Sequence, residues 1–459
     1  MTISPRAVRR ALPLVLLAAA CSSTKDQLLG VENPNAITTD NLQNADGAVA
    51  LANGVIASFR NITGAATTGT ESSWMFGGLL ADEWSTSSTF VQNDETDQRR
   101  IQLFNSSITE QLRNLYRVRT RANDAIAALR QYSPASTALL AEMYLARGYA
   151  ELQLASDFCN GIPITAKTGG QPPENGEPKT DAEVFRFAAT SLDSAIATAV
   201  GSDAQSVLIN RASRVARARV ALGLADFAGA ATFVAGIPTS FAYQHSFSLT
   251  TSTNTLWGQG LSARRYSVGD SVEGNTRNIL VKNALPFASA KDPRIPATIP
   301  TTGSINGQDG LTYARTTTLW GQLTPVDVAT GLDARLIEAE VATRGGNFTQ
   351  ALSILNALRA APPKLGDVQP AAMPALTDPG NDAARVSLLF REKAFWTFGR
   401  GQRLGDLRRL VRQYGRPQDQ VFPTGVHYKG GTYGTDVNLP VVQAEENNPN
   451  FKGCLDRNA

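Results

Sequence analysis

A chain of 459 residues, 42% hydrophobic and 18% charged, can bury a large core as one big domain or two to three ordinary ones. That balance argues against a disordered or membrane-embedded chain. Three of the 43 basic residues (Arg6, Arg9, Arg10) lie in the first 20 positions, and the other 40 balance 40 acids, which argues against nucleic-acid binding and against a polybasic membrane patch.

Those three arginines precede an apolar run, Ala11 to Ala20, in the order of a secretory signal peptide; the run is too short to span a bilayer. Leu17-Ala-Ala-Ala-Cys21 resembles a bacterial lipobox, with Ala18 where leucine is usual. The resemblance implies that Cys21 is diacylated and becomes the new N-terminus, and Ser22 after it implies outer-membrane placement. The alternative is an ordinary exported protein. Residues 21–38, with Asn33-Pro34-Asn35, read as a lipidated tether, and residues 39–459 as one domain.

Helical periodicity begins with Leu42, Ala45, Val49, Ala52, Ile56 and Phe59, capped by Thr39 or Asp40 and ended by Gly64. A second helix is predicted over 107–131 on Leu112, Leu115, Ala122, Ile126 and Leu129. Ser133-Pro134 opens a third, through Leu139, Met143, Ala146, Ala150 and Leu154. Thr180-Asp-Ala-Glu183 is a capping box for a fourth. Two hairpins follow, over 207–235 with a break at Ala225-Asp226 and over 326–360 with a break at Arg344-Gly-Gly-Asn347. After each break an aromatic is followed three residues later by alanine (Phe227/Ala230, Phe348/Ala351), as in a tetratricopeptide-type hairpin.

Stretch 64–100, rich in Thr, Ser and Gly, and stretch 166–180, with Pro172-Pro173, read as loop-rich, and 240–322 as loop with short strands at most; loops this long in a helical chain usually carry function. They contain Trp74, Trp84, Trp257, Tyr266 and Trp320. Near the C-terminus, Arg391 to Leu410 runs from an apolar helix face through Gly399 and Gly401 into a second helix opening at Asp406, with Arg403 pairing Asp406. So much arginine beside Trp396 and Phe398 suits a structural joint or an anion site. With Cys21 lipidated, Cys159 and Cys454 are left as a disulfide or as two separate buried thiols.

Several segments in order resemble the SusD/RagB family of outer-membrane nutrient-binding lipoproteins, across essentially the whole mature chain. They are Asn114-Leu-Tyr-Arg-Val-Arg-Thr-Arg-Ala-Asn123, Asp157-Phe-Cys-Asn-Gly-Ile-Pro163 and Asp292-Pro-Arg294. Glu338-Ala-Glu340 with Gly346 and Leu355-Asn356-x-x-Arg359 comes next, then the Arg391–Leu410 joint. The tail supplies Leu439-Pro-Val-Val-Gln-Ala-Glu445 and Asn448-Pro-Asn450. Glu392-Lys393 and Arg400 depart from the more Glu-rich family pattern. The resemblance implies a mainly α, SusD-like helical fold with tetratricopeptide-type hairpins (about 107–235 and 326–360), a loop-rich insertion (about 240–322) and a C-terminal family segment (about 385–459). It also implies a lid-like partner for a SusC-like TonB-dependent outer-membrane barrel, holding an oligosaccharide or peptide for import. The substrate itself does not carry over.

The sequence has no Gly-x-Ser-x-Gly, His-Glu-x-x-His, phosphate-binding loop or Cys-x-x-Cys, so no catalytic residue, metal or cofactor is assigned. His245 and His427 read as polar surface residues, and Asp82-Glu83 as solvated or capping acids. Binding suits the aromatics better, since their faces stack on sugar rings while neighbouring polar groups satisfy hydroxyls. The expected ligand contacts are Trp74, Trp84, Trp257 and Trp320, with Asp82 or Tyr266 nearby. The alternatives are a surface glycoside hydrolase or peptidase, and a tetratricopeptide scaffold that binds only protein.

Overall fold

The computed structural model describes residues 43–65, 71–165, 175–274, 277–299, 306–442 and 448–459. The signal peptide, Cys21, the tether, the Thr39/Asp40 cap, Pro172-Pro173 and Gln443–Glu445 lie outside the described residues. Among these, thirteen helices form: α1 Ala45–Thr63, α2 Ser73–Leu80, α3 Val91–Asp97, α4 Ser106–Tyr132, α5 Thr137–Asp157, α6 Asp181–Thr198, α7 Ala204–Gly223, α8 Phe227–Val234, α9 Thr255–Trp257, α10 Gly331–Arg344, α11 Phe348–Ala360, α12 Asp382–Trp396 and α13 Arg403–Arg412. Among the described residues strand is confined to five short antiparallel pairs.

Nine of the thirteen helices start where a side chain satisfies a free backbone N–H group; α2, α3, α5 and α13 do not. Asn44 accepts from Gly47 N at 2.8 Å, Asn105 from Ile108 N at 3.1 Å, and Thr180 with Glu183 forms the expected capping box. Helix α5 is the centre of the N-terminal half and packs on α1, α4, α6 and α7. Surrounded like this, it buries polar groups too, and two of its glutamates are held by partners from other elements. Glu142 accepts from Tyr243 Oη at 2.8 Å, and Glu151 from Arg119 Nε at 2.8 Å and Ser191 Oγ at 2.6 Å. Gly148 lets α6 approach: a Cβ there would stand 2.6 Å from Leu192 Cγ.

Both expected hairpins form. Ala225 (φ 60°) turns the chain and Asp226 caps α8; Gly346 (φ 77°) turns it and Asn347 caps α11. Ala230 and Ala351 are fully buried, so the paired helices approach closely, and α8 packs against α10 to join the two hairpins.

The stretch 64–100 is not the expected loop. It holds α2, α3 and the strand β1 (Trp84–Thr86). All eight residues of α2 are buried, so it has no polar face and therefore no helical periodicity to read. Cys159 and Cys454 are joined by a disulfide, Cα atoms 5.7 Å apart, and are not separate thiols. The tail also hydrogen-bonds to the end of α5, through Leu439 N to Asp157 O at 2.7 Å and Cys159 N to Leu439 O at 2.9 Å. Among the described residues no helix is long and apolar enough to cross a membrane.

Candidate functional site

The arginine-rich joint forms as a turn with Gly399 (φ 68°) and Gly401 (φ 63°) in the left-handed region that glycine tolerates. Its second helix opens at Arg403 rather than Asp406, and Arg403 pairs with Asp82 rather than with Asp406. The reason is competition. Lys393 Nζ reaches Asp406 at 2.8 Å and Arg409 Nη1 reaches it at 3.2 Å. Lys393 also donates to Glu340 at 2.7 Å, where Arg409 and the Tyr414 hydroxyl join it. Arg400 takes Asp333, Arg408 takes Asp181, and Arg294 takes Asp292 and Glu392. Burial alone would raise the Glu340 pKa, but Arg409 and Lys393 outweigh it and hold the carboxyl well below its usual range. These cations are spent on protein carboxylates, so the joint is structural.

The residues expected at a ligand are drawn mostly into the same core. Trp74 is fully buried on α2, against Gly401, where a Cβ would come within 2.0 Å of Trp74 Cδ1. Trp84, Tyr266 and Trp320 do come together, with Phe398, but inside. Ring centroids are 4.8 Å apart for Trp84–Phe398, 6.2 Å for Trp84–Tyr266 and 6.3 Å for Trp84–Trp320. Asp82 is occupied by Arg403 and by Leu285 N at 2.9 Å. Trp257 is half-buried on α9, at the edge of the core. The cavity beside Trp74 and Trp320 holds about 20 Å³, room for a water and not for a sugar ring. The indoles seal the irregular segments onto the helices, which is where their large apolar area is worth most.

The histidines and Glu83 are corrections as well. His245 is buried, its Nδ1 2.7 Å from Thr63 Oγ1 and its ring edge-on to Phe59; burial lowers its pKa to about 3 and keeps it neutral. His427 is buried between Tyr428 and Tyr433. Glu83 is fully buried, and desolvation pushes its pKa up to about 8 although Gly399 N donates to it at 3.0 Å.

Open space lies elsewhere. A cleft of about 730 Å³ is lined by Ser88, Thr89, Asp94, Arg277, Asp309, Thr312 and Lys429, among others. It begins just past β1, so the segment carrying Trp84 leads into it. Its floor is a charged cluster. Lys429 Nζ donates to Ser88 O at 2.8 Å and Asp94 Oδ1 at 2.7 Å, and lies 3.1 Å from Asp309 Oδ2. Asp309 is fixed by its own turn, accepting from Leu311 N and Thr312 N at 2.9 Å. Burial works against the Asp309 charge, but these N–H groups and Lys429 hold its carboxyl below the usual range. Tyr428 closes the floor, its hydroxyl 2.5 Å from Asp97 Oδ2.

Two other open clefts of about 670 and 660 Å³ lie along α11 and beside Phe104 and Phe451, each with a single charged side chain in its lining. The first cleft carries four charged side chains from separated segments, and has the volume and convergent polar groups of a small-ligand site. Ser88, Asp94, Arg277 and Asp309 lie in stretches expected to carry function, but none of these residues was expected at a ligand, and Lys429 lies outside those stretches. The Asn306-Gly-Gln-Asp-Gly310 turn is visible in sequence, but nothing there links Asp309 to Lys429. Among the described residues no group of His, Cys, Asp and Glu could hold a metal ion.

No protein-family model matches the sequence, and no curated protein does. Solved structures do. A SusD-like carbohydrate binding protein from Bacteroides fragilis aligns at TM-score 0.61 and 13% identity, over 90% of this chain and 99% of its own. A SusD superfamily protein from Bacteroides thetaiotaomicron aligns at 0.60 and 12%, over 90% and 99%. A laminarin binding SusD-like protein aligns at 0.57 and 15%, again over 90% and 99%. Identities this low speak to architecture and not to ligand. With near-complete coverage of those chains and the same mainly helical build, this chain has the SusD-like fold.

Proposed function

We propose that this chain is a glycan-binding lipoprotein of the SusD/RagB family, held at the outer membrane by lipid on Cys21. It passes an oligosaccharide to a SusC-like TonB-dependent barrel and does not cleave it. The observation that carries this reading is the cleft of about 730 Å³ lined by Ser88, Asp94, Arg277 and Lys429, which presents hydrogen-bonding groups to solvent while the arginine joint is internally paired. The fold shared with proteins described as carbohydrate binding supports the glycan class. Sugars suit such a site because fixed donors and acceptors replace the water around their hydroxyls.

Titration calorimetry of the purified protein against a panel of soluble polysaccharides tests the reading, with chain length followed by chromatography. Saturable binding with unchanged chain length is expected. Shortened products, or no binding across neutral and acidic members, would sink it.

A further inference from the structure

Resting on the glycan reading, we propose that the cleft selects glycans bearing an anionic substituent, and that Arg277 is the specificity-determining residue. Arg277 is exposed at the cleft wall, and its Nε donates to Gly274 O at 3.0 Å while Nη2 donates to Tyr428 O. Both acceptors are neutral main-chain carbonyls. Among the described residues no carboxylate lies within ion-pair distance of it, unlike Lys429 beside it or the arginines of the joint. The adjoining Asn275 and Thr276 carry no charge.

A guanidinium has five N–H donors, and two are used in holding this one in place. The three left, two on Nη1 and one on Nη2, form the edge that meets a carboxylate or sulfate through paired charge-assisted hydrogen bonds. The two carbonyl contacts fix the side chain before a ligand arrives, so little rotamer entropy remains to be lost on binding. The nearby acids do not cancel this charge at the ligand's position. Asp309 is 7% exposed and caged by its turn and Lys429; Asp94 is 27% exposed and shares the same lysine. A neutral sugar leaves the free edge to water, whereas an anionic one replaces that water with a charge-assisted pair.

The test is calorimetry of the whole protein, at low and moderate salt, with oligogalacturonate, with the same oligosaccharide after carboxyl reduction, and with a sulfated galactan oligosaccharide. Wild type is expected to bind an anionic member at least about tenfold more tightly than the carboxyl-reduced one, with the gap narrowing as salt rises. Arg277→Gln should weaken the anionic member about tenfold more than the carboxyl-reduced one and so erase the gap. Preference for the uronate or for the sulfate identifies which anion the site takes. Equal binding of acidic and reduced forms, neutral ligands alone in the panel, or equal loss of both classes in Arg277→Gln would overturn the inference and leave the glycan reading standing. Failure of every glycan to bind would remove the glycan reading itself.

Discussion

Arg403 donates Nε and Nη2 to the two oxygens of Asp82 at 2.7 and 2.9 Å, joining residues 321 positions apart with both side chains buried. The pair fastens the turn after α12 to the end of α2. Its net worth is small, because each charge gave up water to enter the core; breaking it from one side is costly. Arg403→Met should therefore cost about 3–5 kcal/mol in urea unfolding. Adding Asp82→Asn, which removes the orphaned charge and keeps an acceptor for Leu285 N, should recover at least half. If the double variant is no more stable than the single one, the loss lies in packing and not in the buried charge.

The pH dependence of stability follows from three buried acids, two of which behave oppositely to the third. Desolvation raises Glu83 from 4.5 to about 8 and Asp157 from 3.8 to about 7, so the fold holds protons that the unfolded chain releases. Stability from Glu83 therefore declines as pH climbs from 4.5 to about 8 and is level above that. Glu340 runs the other way: its depressed pKa gives stability that is full above 4.5 and is lost as pH falls through the folded value. Calorimetric melting should place the maximum on the mildly acidic side of neutrality, with a lower Tm at about pH 8.5. Glu83→Gln should flatten that decline. An undiminished decline in the variant would show that Glu83 is not its source.

How much of this was legible in the sequence depended on how local the cause was. Phe227 with Ala230 and Phe348 with Ala351 lie three residues apart beside their breaks, and both hairpins were readable from that local spacing. The box at Thr180 and Glu183 was readable for the same reason. Helix α2 was hidden because complete burial removes the polar face that produces a period. Arg403 had Asp406 within reach in sequence, and only folding shows Lys393 and Arg409 occupying it. The tryptophans looked available because they sit in Ser/Thr/Gly-rich stretches. In the fold those stretches are where large rings seal the helices, and the polar cleft is assembled from segments near 90, 277, 309 and 429 that share no local signal.

The Cys159–Cys454 disulfide spans 295 residues, and in the chain-entropy view a long loop gains more from closure than a short one. Cys159→Ser should lower stability by about 2–5 kcal/mol, measured with and without reductant. The variant should be insensitive to reductant and wild type should not be. Intact mass after alkylation provides an independent check: two freely alkylated thiols in native oxidised protein would contradict the bond.

The cleft and the tryptophan cluster make opposite predictions about binding and stability, which lets one pair of variants separate them. Trp84 is buried against Phe398, Tyr266 and Trp320, so Trp84→Ala should cost about 3–5 kcal/mol and a large drop in Tm. Glycan affinity measured well below that Tm should stay close to wild type. Asp94 is partly exposed at the cleft and accepts from Lys429 and from Thr86 Oγ1 at 2.9 Å. Asp94→Asn keeps its shape and an acceptor oxygen, so stability should change by less than about 1 kcal/mol. Its loss of charge weakens the hydrogen bonds a carboxylate accepts from sugar hydroxyls, and affinity for a neutral, carboxyl-reduced oligosaccharide should fall roughly tenfold, the scale of one charge-assisted hydrogen bond. The reverse pattern, with binding lost in folded Trp84→Ala and intact in Asp94→Asn, would return the site to the aromatic cluster and require that cluster to open before a ligand can enter.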